Sequence, residues 1–327
     1  MPNAISPDAA LWIRRWLILI GLMVYAMILI GGATRLTDSG LSITEWEPIR
    51  GALPPFGEAA WLAEFEKYKA TAEFQQQNYN MTMSEFQYIY WWEWGHRLFG
   101  RLIGLVAIGG MIWFAARRWL SRKWVVRLGL LILLGGLQGF IGWWMVASGI
   151  GETDRLDVAP YRLMTHFGLA LLIIAITAWF WFDLGEQDRV ETSPRLQALA
   201  LILLGLTSLQ MLSGALVAGL DAGRTYTDWP LMAGELVPGH YLEGELGVRS
   251  LFEGSAATQF NHRSQSRRRP RHDRSIFCRG RISRCRARRV RGARTGKRVF
   301  RKSRRLVADR NSLFAGPCSA GNGRVCR

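Results

Sequence analysis

The sequence predicts an all-α polytopic membrane protein. Three observations predict it: five apolar stretches long enough to cross a bilayer as helix, a Lys and Arg bias that alternates between loops, and an internal repeat. The charge balance agrees once the chain is divided. Of 42 Lys and Arg residues, 22 lie in residues 264–327, together with 2 of the 25 Asp and Glu. The first 263 residues therefore hold 20 basic and 23 acidic groups, and the net charge of +17 belongs to the tail.

The five stretches cover residues 12–33, 98–116, 125–150, 163–182 and 196–220. Each is close to the roughly 20 residues of helix that a bilayer core requires. None shows the polar stripe of a soluble amphipathic helix. The first lacks a small-residue cleavage site and reads as a retained span, not a leader. Arg14 and Arg15 stand at its start, and Arg117, Arg118, Arg122, Lys123 and Arg127 lie around the link between spans two and three. These belong on the cytoplasmic side. The acid-rich segment 34–90 and the stretch "GIGETDRLDVAP" belong outside.

The repeat joins the end of span one to the end of span five. "GGATRLTDSGLSITEWEPIRGALP" answers "GALVAGLDAGRTYTDWPLMAGELVP", with Gly31/Gly214, Gly40/Gly223, Thr44/Thr227 and Trp46/Trp229 at a constant offset of 183. "EWGHR" (93–97) answers "QFNHR" (259–263) at an offset of 166. Spans three and five share a motif as well, "LQGFIG" against "LQMLSG". Apolar coincidence does not account for matched Gly, Thr, Trp and Pro in loops. The pattern predicts a duplicated four-helix unit. Two units need eight spans; this chain supplies five and the start of a sixth near residue 251.

His96 and His166 stand near the heads of spans two and four, which descend from the same face, and His262 holds the matching place in the sixth. One such histidine reads as readily as a hydrogen-bonded helix contact. Three at matched depth on alternate spans favour ligands, because ionisable groups in spans are costly. Two imidazoles facing across a bundle can hold a haem iron from both sides. His240 lies in a loop and His272 in the tail, and neither is assigned a role. Glu93 shares a helix face with His96, three residues on, where a carboxylate could move protons; the plainer reading is an i,i+4 ion pair with Arg97. Arg97 and Arg101 suit a propionate, or else snorkel to head groups. Trp91, Trp92 and Trp94 read as an interfacial belt.

Together, "GGATRLTDSGLSITEW", "EWGHRLFGRLIG", "LQGFIGWWMVASG", "MTHFGLAL" and "QFNHR" resemble the haem A synthases, in the branch shared by alphaproteobacteria and mitochondria that lacks loop cysteines. The resemblance covers residues 1–263. It implies eight helices in two pseudo-symmetric bundles, with residues 1–183 on the substrate haem side and 184–263 an incomplete haem b side. It implies an oxidoreductase acting on a CH or CH2 group. The C8 methyl of haem O becomes the formyl of haem A by two successive hydroxylations through haem I, for cytochrome oxidase. Glu93 would be catalytic and His96 and His166 the axial ligands of the substrate haem. Arg97 and Arg101 would be propionate or structural partners. His262 would hold the haem b iron, its partner on span eight having no counterpart here. Haem O is the implied substrate and haem O synthase a candidate partner. Self-association is compatible, the electron donor is unspecified and no nucleic acid is expected. The implied location is the cell inner membrane, with the N-terminus cytoplasmic and both haem sites towards the periplasm.

After "FNHR" no helical or strand period survives, and Arg outnumbers Lys 20 to 2 in residues 264–327. A frameshift in a GC-rich gene accounts for this, since Ala codons misread by one base yield Arg. An apolar, His-containing continuation in another reading frame of the DNA is the check. The rival is a genuine basic tail for RNA or anionic lipid, but such tails mix in Lys and do not replace helices. Cys278/Cys285 and Cys318/Cys326 lack zinc spacing. The tail is expected to be disordered and the chain impaired by its missing helices. Two other readings are a non-catalytic bis-His electron-transfer cytochrome, against which Glu93 argues, and a repeat-built transporter, for which the Pro-broken helices are lacking.

Overall fold

A computed structural model describes residues 5–150, 155–185 and 192–267. The tail beyond residue 267, with His272, the four cysteines and the expectation of disorder, lies outside the described residues. The helices are α1 (Pro7–Leu36), α2 (Glu58–Lys69), α3 (Ala72–Gln76), α4 (Met83–Ala116), α5 (Arg122–Val146), α6 (Pro160–Asp183), α7 (Pro194–Gly219), α8 (Ser250–Glu253) and α9 (Ser255–Arg267). α1, α4, α5, α6 and α7 are long and apolar enough to cross a membrane. They are the five expected, and the chain is an all-α polytopic membrane protein. The sixth span begins as two short helices, α8 and α9.

The helix starts follow from local chemistry. Ser6 accepts from the Ala9 N–H with Pro7 in the first turn, and Ser193 and Pro194 repeat the device on α7. Thr82 and Glu85 form a reciprocal capping box on α4. That cap lies 16 residues before the apolar run of span two. α4, with 34 residues, is about 51 Å long at 1.5 Å per residue, against a bilayer core of about 30 Å. Its first turns therefore stand clear of the span and serve as a wall for α2 and α3. Phe65, Tyr68, Phe86, Ile89 and Tyr90 form a separate apolar cluster there, with Trp61 and Trp94 packed against it. Trp94 thus belongs to this cluster more than to an interfacial belt, while Trp91 remains exposed and packs on Trp61.

α1 and α5 each pack on both α4 and α6, so the four close a bundle with α4 and α6 diagonal. α7 packs on α6 and α9 on α7. The main core fills the end of the bundle where α1 begins, around Ile13, Leu17, Phe114, Leu128 and Phe180. At the other end the helices bury little: α1 has no buried residue between Val24 and Thr34, α4 none between Glu93 and Phe114, α5 none beyond Leu131 and α6 none before Ala170. The histidines occupy that sparsely packed layer. The repeat is visible in the backbone just beyond it. Asp38 and Asp221, 183 apart, both adopt the left-handed conformation, with φ of 48° and 49°. Arg35 lies between them, bonding Asp38 at 2.8 Å, Asp221 at 2.6 Å and the Ala218 carbonyl at 3.1 Å, with Asp157 at 3.2 Å. One cation thus ties α1, the approach to α6 and the end of α7.

Glu73 on α3 is only 3% exposed, and its Oε2 has no hydrogen-bond partner. Burial first, then the Glu93 carboxylate, push it up to about 8 from an ordinary 4.5. Between those values the folded state holds a proton that the unfolded state has released, so stability falls as pH rises through the window. Glu73→Gln is expected to melt higher than the parent at pH 8 and above, the gap closing towards pH 4.5. Thermal unfolding across that range checks it; a constant gap would contradict it.

Candidate functional site

Three imidazoles meet three glycines at one level. A Cβ built on Gly31 of α1 would lie 3.2 Å from His96 Nε2; on Gly142 of α5, 2.9 Å from His166 Cε1; on Gly214 of α7, 3.0 Å from His262 Cε1. These glycines stand five, four and five residues before their helix ends, respectively. The rings therefore share a depth, as the spacing predicted. His96 and His166 reach the bundle from its diagonal helices. His262 reaches α7 from α9. Each ring needs the missing side chain in order to lie against its neighbour. His240 is exposed.

Glu93 is buried, with side-chain exposures of 3% for Glu93 and 15% for Arg97 in the pair they form at 2.5 Å. The i,i+4 ion pair is thus a largely buried one. Glu93 Oε2 also accepts from Ser42 Oγ at 2.7 Å and from the Ile43 N–H at 2.8 Å. Arg97 donates onward to the carbonyls of Ile43 (2.9 Å) and Glu45 (3.1 Å). The same latch recurs in the second copy. The Tyr226 N–H donates to Gln259 Oε1 at 3.1 Å, and Arg263 donates to the carbonyls of Tyr226 (2.5 Å) and Asp228 (3.0 Å). Ile43/Tyr226 and Glu45/Asp228 keep the offset of 183, Glu93/Gln259 and Arg97/Arg263 that of 166. Gln259 differs in donating, through Nε2, to the carbonyls of Gly223 and Tyr226.

Arg101 continues the stitching, donating to the carbonyls of Pro48 at 2.9 Å and Glu47 at 3.0 Å. Both arginines line a cavity of about 270 Å³ shared with Glu45, Glu47 and Glu64. Glu45 and Glu64 there are both paired with Lys67 at 2.8 Å. The bonds that Arg97 and Arg101 make here are to loop carbonyls, and Arg101 Nη1 is buried without a partner among the described residues.

Sequence reasoning missed Ser42, Arg263 and two glutamines. Gln138 Nε2 lies 3.2 and 3.3 Å from the ring nitrogens of His166, and Gln210 Nε2 lies 3.1 and 3.3 Å from those of His262. The repeated "LQ" of spans three and five was the available signal. Among the described residues no three His, Cys, Asp or Glu side chains gather as a metal site. Paired imidazoles are instead what a haem iron asks of a protein. The residues fit that group: two imidazoles at one depth, glycines where side chains would intrude, and a buried orphan carbonyl on Gln138 beside one ring.

A family model described as "Cytochrome oxidase assembly protein" (COX15-CtaA) matches residues 14–267. A curated "Heme A synthase" of Hyphomonas neptunium is 69% identical over 262 residues, covering 80% of this chain and 75% of that protein. Those of Dinoroseobacter shibae and Maricaulis maris are 53% and 51% identical over 257 and 251 residues, covering 77% of this chain and 67% and 73% of theirs. No solved structure matches.

Proposed function

This chain belongs to the COX15-CtaA family of cytochrome oxidase assembly proteins, and from that premise we propose that it is a haem A synthase, an oxidoreductase acting on a CH or CH2 group. The reaction converts the C8 methyl of haem O to the formyl of haem A by two hydroxylations, through haem I, the resulting diol losing water. The observation that carries the assignment to this chain's own residues is the asymmetry between copies: each keeps its histidine and latch, but only the first has a carboxylate, Glu93, where the second has Gln259.

In this reading residues 1–183 form the substrate bundle, and His96 and His166 hold haem O between diagonal helices. Haem, when bound, supplies the iron chemistry. Gly31 and Gly142 leave room for the rings. The apolar walls of α1, α4, α5 and α6 exclude water from the layer. Glu93, one turn from His96 on the same face, handles the proton, and Arg97 fixes its position. Arg97 and Arg101 shape the loop over the site. His262 belongs to a haem b site in residues 184–263. The inner membrane, an N-terminus in the cytoplasm and sites facing the periplasm complete the reading, with haem O synthase as the supplier.

The test is direct. Membranes carrying this chain, and membranes carrying an intact relative, are supplied with haem O, and pigments are extracted. The relative is expected to yield haem I and haem A, with less from this chain. Bound haem without conversion in both would overturn the assignment in favour of an electron-transfer cytochrome.

A further inference from the structure

Spans three and five share the motif "LQGFIG" against "LQMLSG". Its chemistry is specific. Gln138 and Gly142 on α5, like Gln210 and Gly214 on α7, stand four residues apart and so share a face. The glycine makes a notch, the imidazole of the neighbouring helix lies in it, and the glutamine reaches the ring from one turn below. Each amide also donates to the main chain of the histidine it serves: Gln138 Nε2 to the His166 carbonyl at 3.0 Å, Gln210 Nε2 to the His262 carbonyl at 3.2 Å. That second bond anchors the amide, so the contact with the ring is not a chance approach. Both side-chain carbonyls, Gln138 Oε1 and Gln210 Oε1, are buried without a partner. The same four features occur twice, in parts of the chain 72 residues apart.

We propose that Gln138 and Gln210 are positioning residues that fix the ring orientation of His166 and His262. The proposal rests on the reading of those histidines as haem ligands. A histidine ring turns broadly about its second torsion, whereas an axial ligand must present one nitrogen in one plane. An amide tied to the main chain suits this role, because it meets both ring nitrogens at nearly equal distance and so holds the ring's orientation. His96 has no such clamp, since the position on α1 that corresponds to Gln210 is Met27. The two clamps are also unequal. Ser213 Oγ adds a contact to His262 Nδ1 at 2.9 Å, where α5 carries Ile141. Among the described residues His262 is thus held by an amide and a hydroxyl, and His166 by an amide.

Two readouts on the full chain in lipid nanodiscs test this. Without haem, the side-chain 15N resonances of the histidines are compared in the parent, Gln138→Leu and Gln210→Leu. Each substitution is expected to shift the ring resonances of its own histidine and leave His96 unmoved. With ferric haem added, Gln138→Leu is expected to keep a low-spin spectrum but shift its largest g value, and Gln138→Glu to return that value towards the parent's. Unmoved 15N resonances in both Leu variants would overturn the proposal. A low-spin signal unchanged in His166→Ala would instead overturn the ligand reading, while the 15N comparison still decides the clamp.

Discussion

Glu93→Gln is expected to lower conversion of haem O by about 10²–10⁴-fold, the usual worth of a positioned acid or base, while the fold survives. The protein contains its own control. Gln259 occupies the equivalent place in the second copy, accepts the same backbone N–H, and leaves its arginine bonded to the same two carbonyls. A neutral amide can therefore hold the latch. Glu93→Ala is a different experiment. It strands the Ser42 hydroxyl and the Ile43 N–H and takes the counter-charge from Arg97, whose side chain is 15% exposed. Removing one partner of a buried pair costs about 3–5 kcal/mol. The alanine variant should lose stability and conversion together, and the glutamine variant conversion alone. Pigment extraction and thermal unfolding of both variants separate the roles. Conversion by Glu93→Gln at the parent rate would reduce Glu93 to a loop fastener.

The second large effect is on stability. Gly110→Ala is expected to destabilise the bundle by about 2–4 kcal/mol, although alanine is the better helix former by about 1 kcal/mol. A methyl on Gly110 would stand 2.1 Å from Nε1 of Trp16 and 2.6 and 2.7 Å from two further ring atoms. The indole lies across α4 and donates to the Val106 carbonyl at 3.0 Å. It also packs edge-on to Phe114 in the main core. To admit the methyl, either α1 moves away from α4 or the indole leaves its place, and losing a buried Trp from a core costs about 3–5 kcal/mol. Gly104→Ala on the same helix is the control, since nothing lies within 4 Å of its added Cβ. Unfolding in detergent should show Gly104→Ala at or above the parent and Gly110→Ala well below it. Trp16→Leu in the Gly110→Ala background should cost less than in the parent, a coupling that a double-mutant cycle measures.

Much of this was legible in the residues. Spans show in the sequence because lipid demands about 20 apolar residues in a row. The common depth of His96, His166 and His262 was countable from the same runs. The offsets of 183 and 166 announced the repeat, and with it the substitution of Gln259 for Glu93. Other features were not legible. The apolar run begins near residue 98, yet α4 begins at Met83, because α2 and α3 supply the packing that holds the extra turns. Arg97 and Arg101 looked available for an anion. Their donors go to carbonyls about 50 residues away, a choice made by the path of the loop at 43–48.

Composition and period by themselves determined that this chain is a duplicated set of membrane helices with three histidines at one level, since burial in lipid and helical spacing are local, one-dimensional constraints. Only the tertiary structure decided what each polar side chain does there. A buried donor or acceptor takes whichever partner the packing brings within about 3 Å, and that partner is set by the approach of helices at glycines and the return of loops.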